Sequence, residues 1–100
     1  MLNITKNVEN GKAVIALEGR LDTITSRDLS KEIDTVMESI SELVLDFDKL
    51  GYISSAGLRV IVDAMNRMGG KDKMKIINVK KMIMEVFDVT GFSSVLNIEQ

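Results

Sequence analysis

Apolar and polar positions follow two rhythms along this chain, one near two residues and one near three and a half. Leu2 to Val8 alternates weakly, Glu9-Asn10-Gly11-Lys12 carries a turn signal, and Ala13-Val14-Ile15-Ala16-Leu17 reads as a strand. Two strands around an Asn-Gly pair predict a β-hairpin. Gly19-Arg20-Leu21-Asp22 then leads into Thr23-Ile24-Thr25-Ser26, a hydroxyl-rich approach in which Thr25 or Ser26 can cap a helix. Beyond it Leu29, Ile33, Val36, Met37 and Ile40 fall on one helical face, with Arg27, Lys31, Asp34 and Glu38 mostly off it.

Leu43-Val44-Leu45-Asp46-Phe47 is short and apolar, as a buried parallel strand would be, and Asp48-Lys49-Leu50-Gly51 reads as the loop that follows. From about Ser55 a second helical face appears in Leu58, Ile61, Val62 and Met65, stopped at Met68-Gly69-Gly70. Met74 to Val79 is the next strand. A last short helix starts after Lys80, carries Met82, Val86, Phe87 and Val89, and closes near Gly91, leaving Val95 to Ile98 as a tail. The order is β-β-α-β-α-β-α. Strands separated by helices require parallel, right-handed crossovers, so the pattern predicts an α/β fold. It is a small mixed β-sheet with an N-terminal hairpin and helices packed against it. No linker, repeat or low-complexity tract interrupts the pattern, and residues 1–100 read as one domain.

Composition narrows the chemistry. The 100 residues include neither cysteine nor histidine, which removes disulfides, thiolate chemistry, imidazole bases and the usual zinc and copper ligands. Thirteen Lys+Arg against fifteen Asp+Glu, with four aromatic residues, give no basic or stacking face for nucleic acid. No apolar run approaches the roughly 20 residues of a membrane span, and no signal peptide is evident after Met1, so a cytoplasmic location is the default expectation. Met37, Met65, Met68, Met74, Met82 and Met84 read as adaptable core filler, and no cofactor is implied.

What remains for function is hydroxyls, carboxylates and amines. Asp46, Asp48 and Asp63 could converge on a divalent cation, but Asp46-x-Asp48 lacks the rest of a calcium loop, and solvation and capping of strand ends explain these acids as well. Gly69-Gly70-Lys71-Asp72-Lys73 has neither the glycine spacing of a phosphate loop nor a helix after it, and reads as a helix stop. Tyr52-Ile53-Ser54-Ser55-Ala56-Gly57-Leu58-Arg59-Val60 is more informative. A strand ends there, a helix begins, and two hydroxyls sit where the first helical N–H groups need acceptors. Gly57 lies inside the first turn, where it costs roughly 1 kcal/mol relative to alanine, so something other than helix stability holds it. Neither serine has a histidine partner, and Lys49, the nearest lysine before the corner, has nothing to lower its pKa, which argues against a nucleophilic enzyme.

Leu45-Asp46-Phe47, a four-residue link and the corner segment together resemble the signature of STAS-domain anti-sigma factor antagonists, bacterial regulators of partner-switching pathways. The resemblance extends to the opening hairpin, to Gly19-x-Leu21-Asp22 and to Thr90-Gly91-Phe92. It implies a binding protein rather than an enzyme. The implied partners are an anti-sigma factor that is often itself an ATP-dependent serine kinase, and a serine phosphatase that resets the switch. It also implies phosphorylation at the corner. The acceptor position corresponds to Ser55, with Ser54 as the second candidate because many family members carry aspartate there. Small residues at Ala56 and Gly57 would let a partner close over the hydroxyl, and Ser54, Ser55, Ala56, Gly57, Leu58 and Arg59 would form the docking face. The alternative is a STAS-like module that is never phosphorylated and docks permanently, as a subunit of a larger assembly or of a lipid-transport complex.

Overall fold

In the computed structural model, which describes residues Met1 to Gln100, the first strand pair is joined by a tight turn at Asn10 and Gly11, with φ of 53° and 78°. Positive φ at both positions is what a two-residue hairpin turn demands, and Asn-Gly meets it at little cost. β1 (Leu2–Glu9) and β2 (Lys12–Leu21) pair antiparallel with Val8 opposite Ala13 and Leu2 opposite Gly19. β3 (Glu42–Ile53) and β4 (Met74–Ile77) extend the sheet in parallel, giving the spatial order β1-β2-β3-β4. The expected β-β-α-β-α-β-α order holds, with α1 (Thr25–Val36), α2 (Ser55–Met68) and α3 (Lys81–Thr90) between and after the parallel strands. Both crossovers step in the same direction along the sheet, so right-handedness puts α1 and α2 on one face. Phe47 stacks on Phe87, ring centroids 6.3 Å apart, and places α3 there too.

Alternate residues of the strands fill the space beneath the helices. Ala13, Ile15 and Leu17 of β2, Leu43, Leu45 and Phe47 of β3, and Met74 and Ile76 of β4 are buried against Leu29 and Ile33 of α1, Leu58, Ile61 and Met65 of α2, and Ile83 and Phe87 of α3. Each such side chain contributes about 1.5–3 kcal/mol on removal from water, which stabilises the two-layer packing.

Four expectations are corrected. The segment Asp48 to Gly51 is strand, not loop. β3 carries two more residues than the stretch of β2 opposite it, through register irregularities where Ala16–Glu18 faces Asp46–Lys49 and Gly19–Arg20 faces Leu50–Tyr52. These bulges break the alternation that marks a strand, yet return Leu50 and Ile53 to the core. Neither Thr25 nor Ser26 caps α1: both are buried, and the Asp22 carboxylate instead accepts from the N–H groups of Ile24 and Thr25 at 3.0 and 2.9 Å. On α3 the buried face is Ile83 and Phe87, while Met82 and Val89 are 67% and 87% exposed. The strand expected over Met74 to Val79 ends at Ile77, because Asn78 turns to φ 57°. The tail is tied down: Ile76 N–H donates to Asn97, Glu99 N–H donates to Ile76, and Leu96 is buried.

Candidate functional site

β3 delivers its last core side chain at Ile53, and the chain then turns into α2 within one residue. Ser54 is extended, with φ −97° and ψ 173°, and is the N-cap of α2. Its N–H donates to the Leu21 carbonyl at 2.9 Å, which fixes the corner to the end of β2. Its carbonyl accepts from Leu58 N–H at 3.0 Å, and its hydroxyl oxygen accepts from Gly57 N–H at 3.2 Å. The half-buried Ser54 hydroxyl is therefore engaged in holding the helix start. Ser55 is different. It is the first helical residue, exposed, and its hydroxyl makes no hydrogen bond with the rest of the chain.

The six residues expected to form a docking face divide. Ser55 and Arg59 are exposed, and Ser54 and Ala56 are half-buried. Gly57 and Leu58 are buried toward the core, and Leu58 reaches the surface only as part of the floor of a depression beside Ser55. The glycine has a packing reason rather than an access reason. A Cβ at Gly57 would lie 2.8 Å from Leu21 Cγ, 3.0 Å from Leu21 Cδ2 and 3.1 Å from Ile53 Cγ1. Only the absence of a side chain lets α2 start this close to β2 and β3.

Ser55 stands on a ridge between two shallow depressions. Toward α1, Thr23, Ser26, Arg27 and Arg59 surround it. Toward α3, the depression is lined by Leu58, Val62, Asp63, Thr90 and Phe92. Thr90-Gly91-Phe92 thus reaches the site through the fold: Gly91, at φ 82°, ends α3 and turns Phe92 toward α2. Arg27, Thr90 and Phe92 were absent from the sequence-derived docking face. The signal for Arg27 lies in the topology, since two crossovers over neighbouring strand pairs bring α1 beside α2.

Electrostatically the corner leans positive. Arg27 and Arg59 have no carboxylate within 4 Å, whereas Arg67, further along α2, binds Asp34 of α1 at 2.6 Å. Arg20 is also engaged, its guanidinium 4.1 Å from the centre of the Tyr52 ring. At the end of β2, the Asp22 carboxyl has a displaced pKa. The Thr25 N–H, with the Thr25 hydroxyl and the Ile24 N–H, holds its carboxyl below the usual value of 3.8. Asp46, Asp48 and Asp63 do not converge: Asp46 and Asp48 lie beside Glu18 on the sheet, where the Asp46 carboxylate accepts from Asp48 N–H and Asn78 Nδ2, and Asp63 is on α2. No three acids are grouped closely enough to hold a metal ion.

An exposed primary hydroxyl with no base beside it is a poor nucleophile by itself. The Ser55 hydroxyl is open to solvent.

The chain is similar to known proteins over nearly its whole length. The family model for the STAS domain matches residues 3–100. BtrV of Bordetella bronchiseptica, a protein assigned as an anti-sigma factor antagonist, is 27% identical over 99 residues, covering 97% of this chain and 85% of that protein. The crystal structure of an anti-sigma factor antagonist from Mycobacterium paratuberculosis superposes with a TM-score of 0.88 at 18% identity, covering 99% of this chain and 86% of the other. The Bacillus cell fate determinant SpoIIAA in its phosphorylated form gives 0.74 at 18% identity, covering 98% and 92%. No helix is long and apolar enough to cross a membrane.

Proposed function

The chain belongs to the STAS-domain family, and from that premise we propose that it is an anti-sigma factor antagonist that docks an anti-sigma factor at the β3–α2 corner and is released when Ser55 is phosphorylated. In this reading the partner is a kinase-type anti-sigma factor, its capture frees a sigma factor, and a serine phosphatase restores the hydroxyl. The protein itself performs no catalysis. The observation that carries the assignment is the division of labour between the two serines: the Ser54 hydroxyl is engaged with Gly57 N–H, and the Ser55 hydroxyl is exposed and unengaged.

A phosphate at Ser55 adds about −1.5 to −2 charges at the first turn of a helix, where the backbone N–H groups favour negative charge and the fold is kept. The effect falls on the docked partner. One new like-charge contact near 4 Å is worth about 4 kcal/mol at an effective dielectric of 20, or roughly a thousandfold in affinity.

The test uses the purified chain, the purified kinase-type anti-sigma factor of the source cell and ATP. Mass spectrometry is expected to find one added phosphate, on Ser55, and none on Ser55→Ala. In titration calorimetry Ser55→Asp is expected to bind the partner more weakly than wild type. Undiminished phosphorylation of Ser55→Ala would move the acceptor elsewhere, and equal affinities would remove the electrostatic switch.

A further inference from the structure

The four arginines of this chain fall into two pairs. Arg20 is stacked on Tyr52 and Arg67 is bound to Asp34. Arg27 and Arg59 are exposed, free of carboxylates, and line the same depression as Ser55. They approach it from different elements. Arg27 comes from the first turn of α1, and Arg59 lies four residues after Ser55 on α2, where the helical repeat puts the two side chains on one face. The other polar groups of that depression, Thr23 and Ser26, are uncharged. Across the ridge, the one charged group besides Arg59 is Asp63, a further turn along α2, while Thr90 and Phe92 from the α3 side carry no charge.

Two guanidiniums without carboxylate partners, carried on two packed helices, thus flank one exposed hydroxyl. Resting on the reading of Ser55 as the acceptor, we propose that Arg27 and Arg59 clamp the phosphate carried on Ser55 Oγ within the same chain. Guanidinium suits this role because its planar fork donates two parallel hydrogen bonds to phosphate oxygens. The clamp changes what the switch does to the surface. Unmodified, the corner presents two positive charges; phosphorylated, the two arginines are turned onto a dianion and the local charge falls to about zero. A partner that docks acidic groups on this corner then loses its cationic contacts as well as meeting a phosphate.

The measurement needs no kinase. Phosphoserine is placed at position 55 of the full chain during translation by an orthogonal synthetase and suppressor tRNA, and the phosphate is titrated by ³¹P NMR. A pair of fixed cations favours the dianion, so the titration midpoint is expected at least about half a unit below the value near 6 of unconstrained phosphoserine. Arg27→Gln and Arg59→Gln are each expected to raise the midpoint, and the double variant more than either. Arg67→Gln, which removes a positive charge from the last turn of α2, is expected to leave it in place. Both substituted side chains are exposed, and circular dichroism verifies that the variants are folded. A midpoint unchanged in the double variant, or raised as much by Arg67→Gln, would overturn the clamp. Because the phosphate is installed without a kinase, these outcomes do not depend on whether an anti-sigma factor modifies Ser55. Failed modification by the kinase would sink the switch and leave the titration result standing.

Discussion

Replacing Gly57 by alanine separates two explanations for a glycine in the first turn of α2. If the position were small to admit a partner, the free protein would gain from alanine, since helix propensity favours it by about 1 kcal/mol. The structure gives the opposite sign. The new methyl would lie 2.8 Å from Leu21 Cγ, a branch carbon rather than a mobile chain end, and about as close to Leu21 Cδ2 (3.0 Å) and Ile53 Cγ1 (3.1 Å). Leu21 is fully buried and Ile53 nearly so, and neither can swing into solvent. Overpacking of this kind costs about 1–3 kcal/mol, and contact with a branch carbon puts it in the upper half of that range. Set against the propensity gain, the net loss is about 1–2 kcal/mol. For a domain of this length that lowers Tm by about 5–15 °C. Urea unfolding followed by far-ultraviolet circular dichroism reads the loss directly. A double-mutant cycle names its cause: in a Leu21→Ala background the new methyl has space, so Gly57→Ala should cost little or stabilise, with a coupling energy of about 1 kcal/mol or more. Stabilisation of the wild-type protein by Gly57→Ala, or an equal cost in both backgrounds, would refute the packing explanation.

The two serines should differ in the free protein, Ser54→Ala losing about 1 kcal/mol with its cap and Ser55→Ala staying within about 0.5 kcal/mol of wild type in the same urea assay. Asp22 gives a pH signature. Its carboxyl titrates lower in the folded chain than its usual 3.8, so its contribution is fully present above that value and is lost as pH falls through the folded pKa. The stability gap between wild type and Asp22→Ala should be constant from about pH 7 to 5 and shrink below about 4; a gap independent of pH would discount the ionised cap. Leu96→Ala should cost about 2–4 kcal/mol, because the side chain is buried under the tail that runs beside Ile76. A loss below about 0.5 kcal/mol would mean that the tail is not docked.

What could be read from the sequence was what local chemistry decides. The hairpin turn was visible because Asn10 and Gly11 both need positive φ, and the α2 stop because Gly69 sits at φ 102°. What escaped depends on a partner element. Asp46, Asp48 and Lys49 look like the start of a loop until β2 is laid beside them and the extra residues become bulges. On α3, Met82, Val86 and Val89 make as good an apolar stripe as Ile83 and Phe87, and only the position of Phe47 decides which stripe is inside. The site behaved in the same way. Its small polar corner stood out along the chain, but the roles of Ser54 and Ser55 follow from one ψ angle, and Arg27 and Phe92 arrive from elements distant in sequence.

Adjacent serines in different settings also explain how the proposed switch can sit at a structural corner at all. The cap bond from Gly57 N–H ends on Ser54, so modification of Ser55 breaks no hydrogen bond of the fold. Were the acceptor Ser54, its oxygen would have to serve as cap and phosphoester together. The packing of Gly57, two residues beyond Ser55, against Leu21 and Ile53 anchors the same turn from the inside. Stability at the corner therefore rests on Ser54 and Gly57, and the chemistry proposed for it on Ser55, Arg27 and Arg59. Charge can be added to or removed from the second set without a matching change in the first, which would let a small fold of marginal stability carry the proposed dianion reversibly.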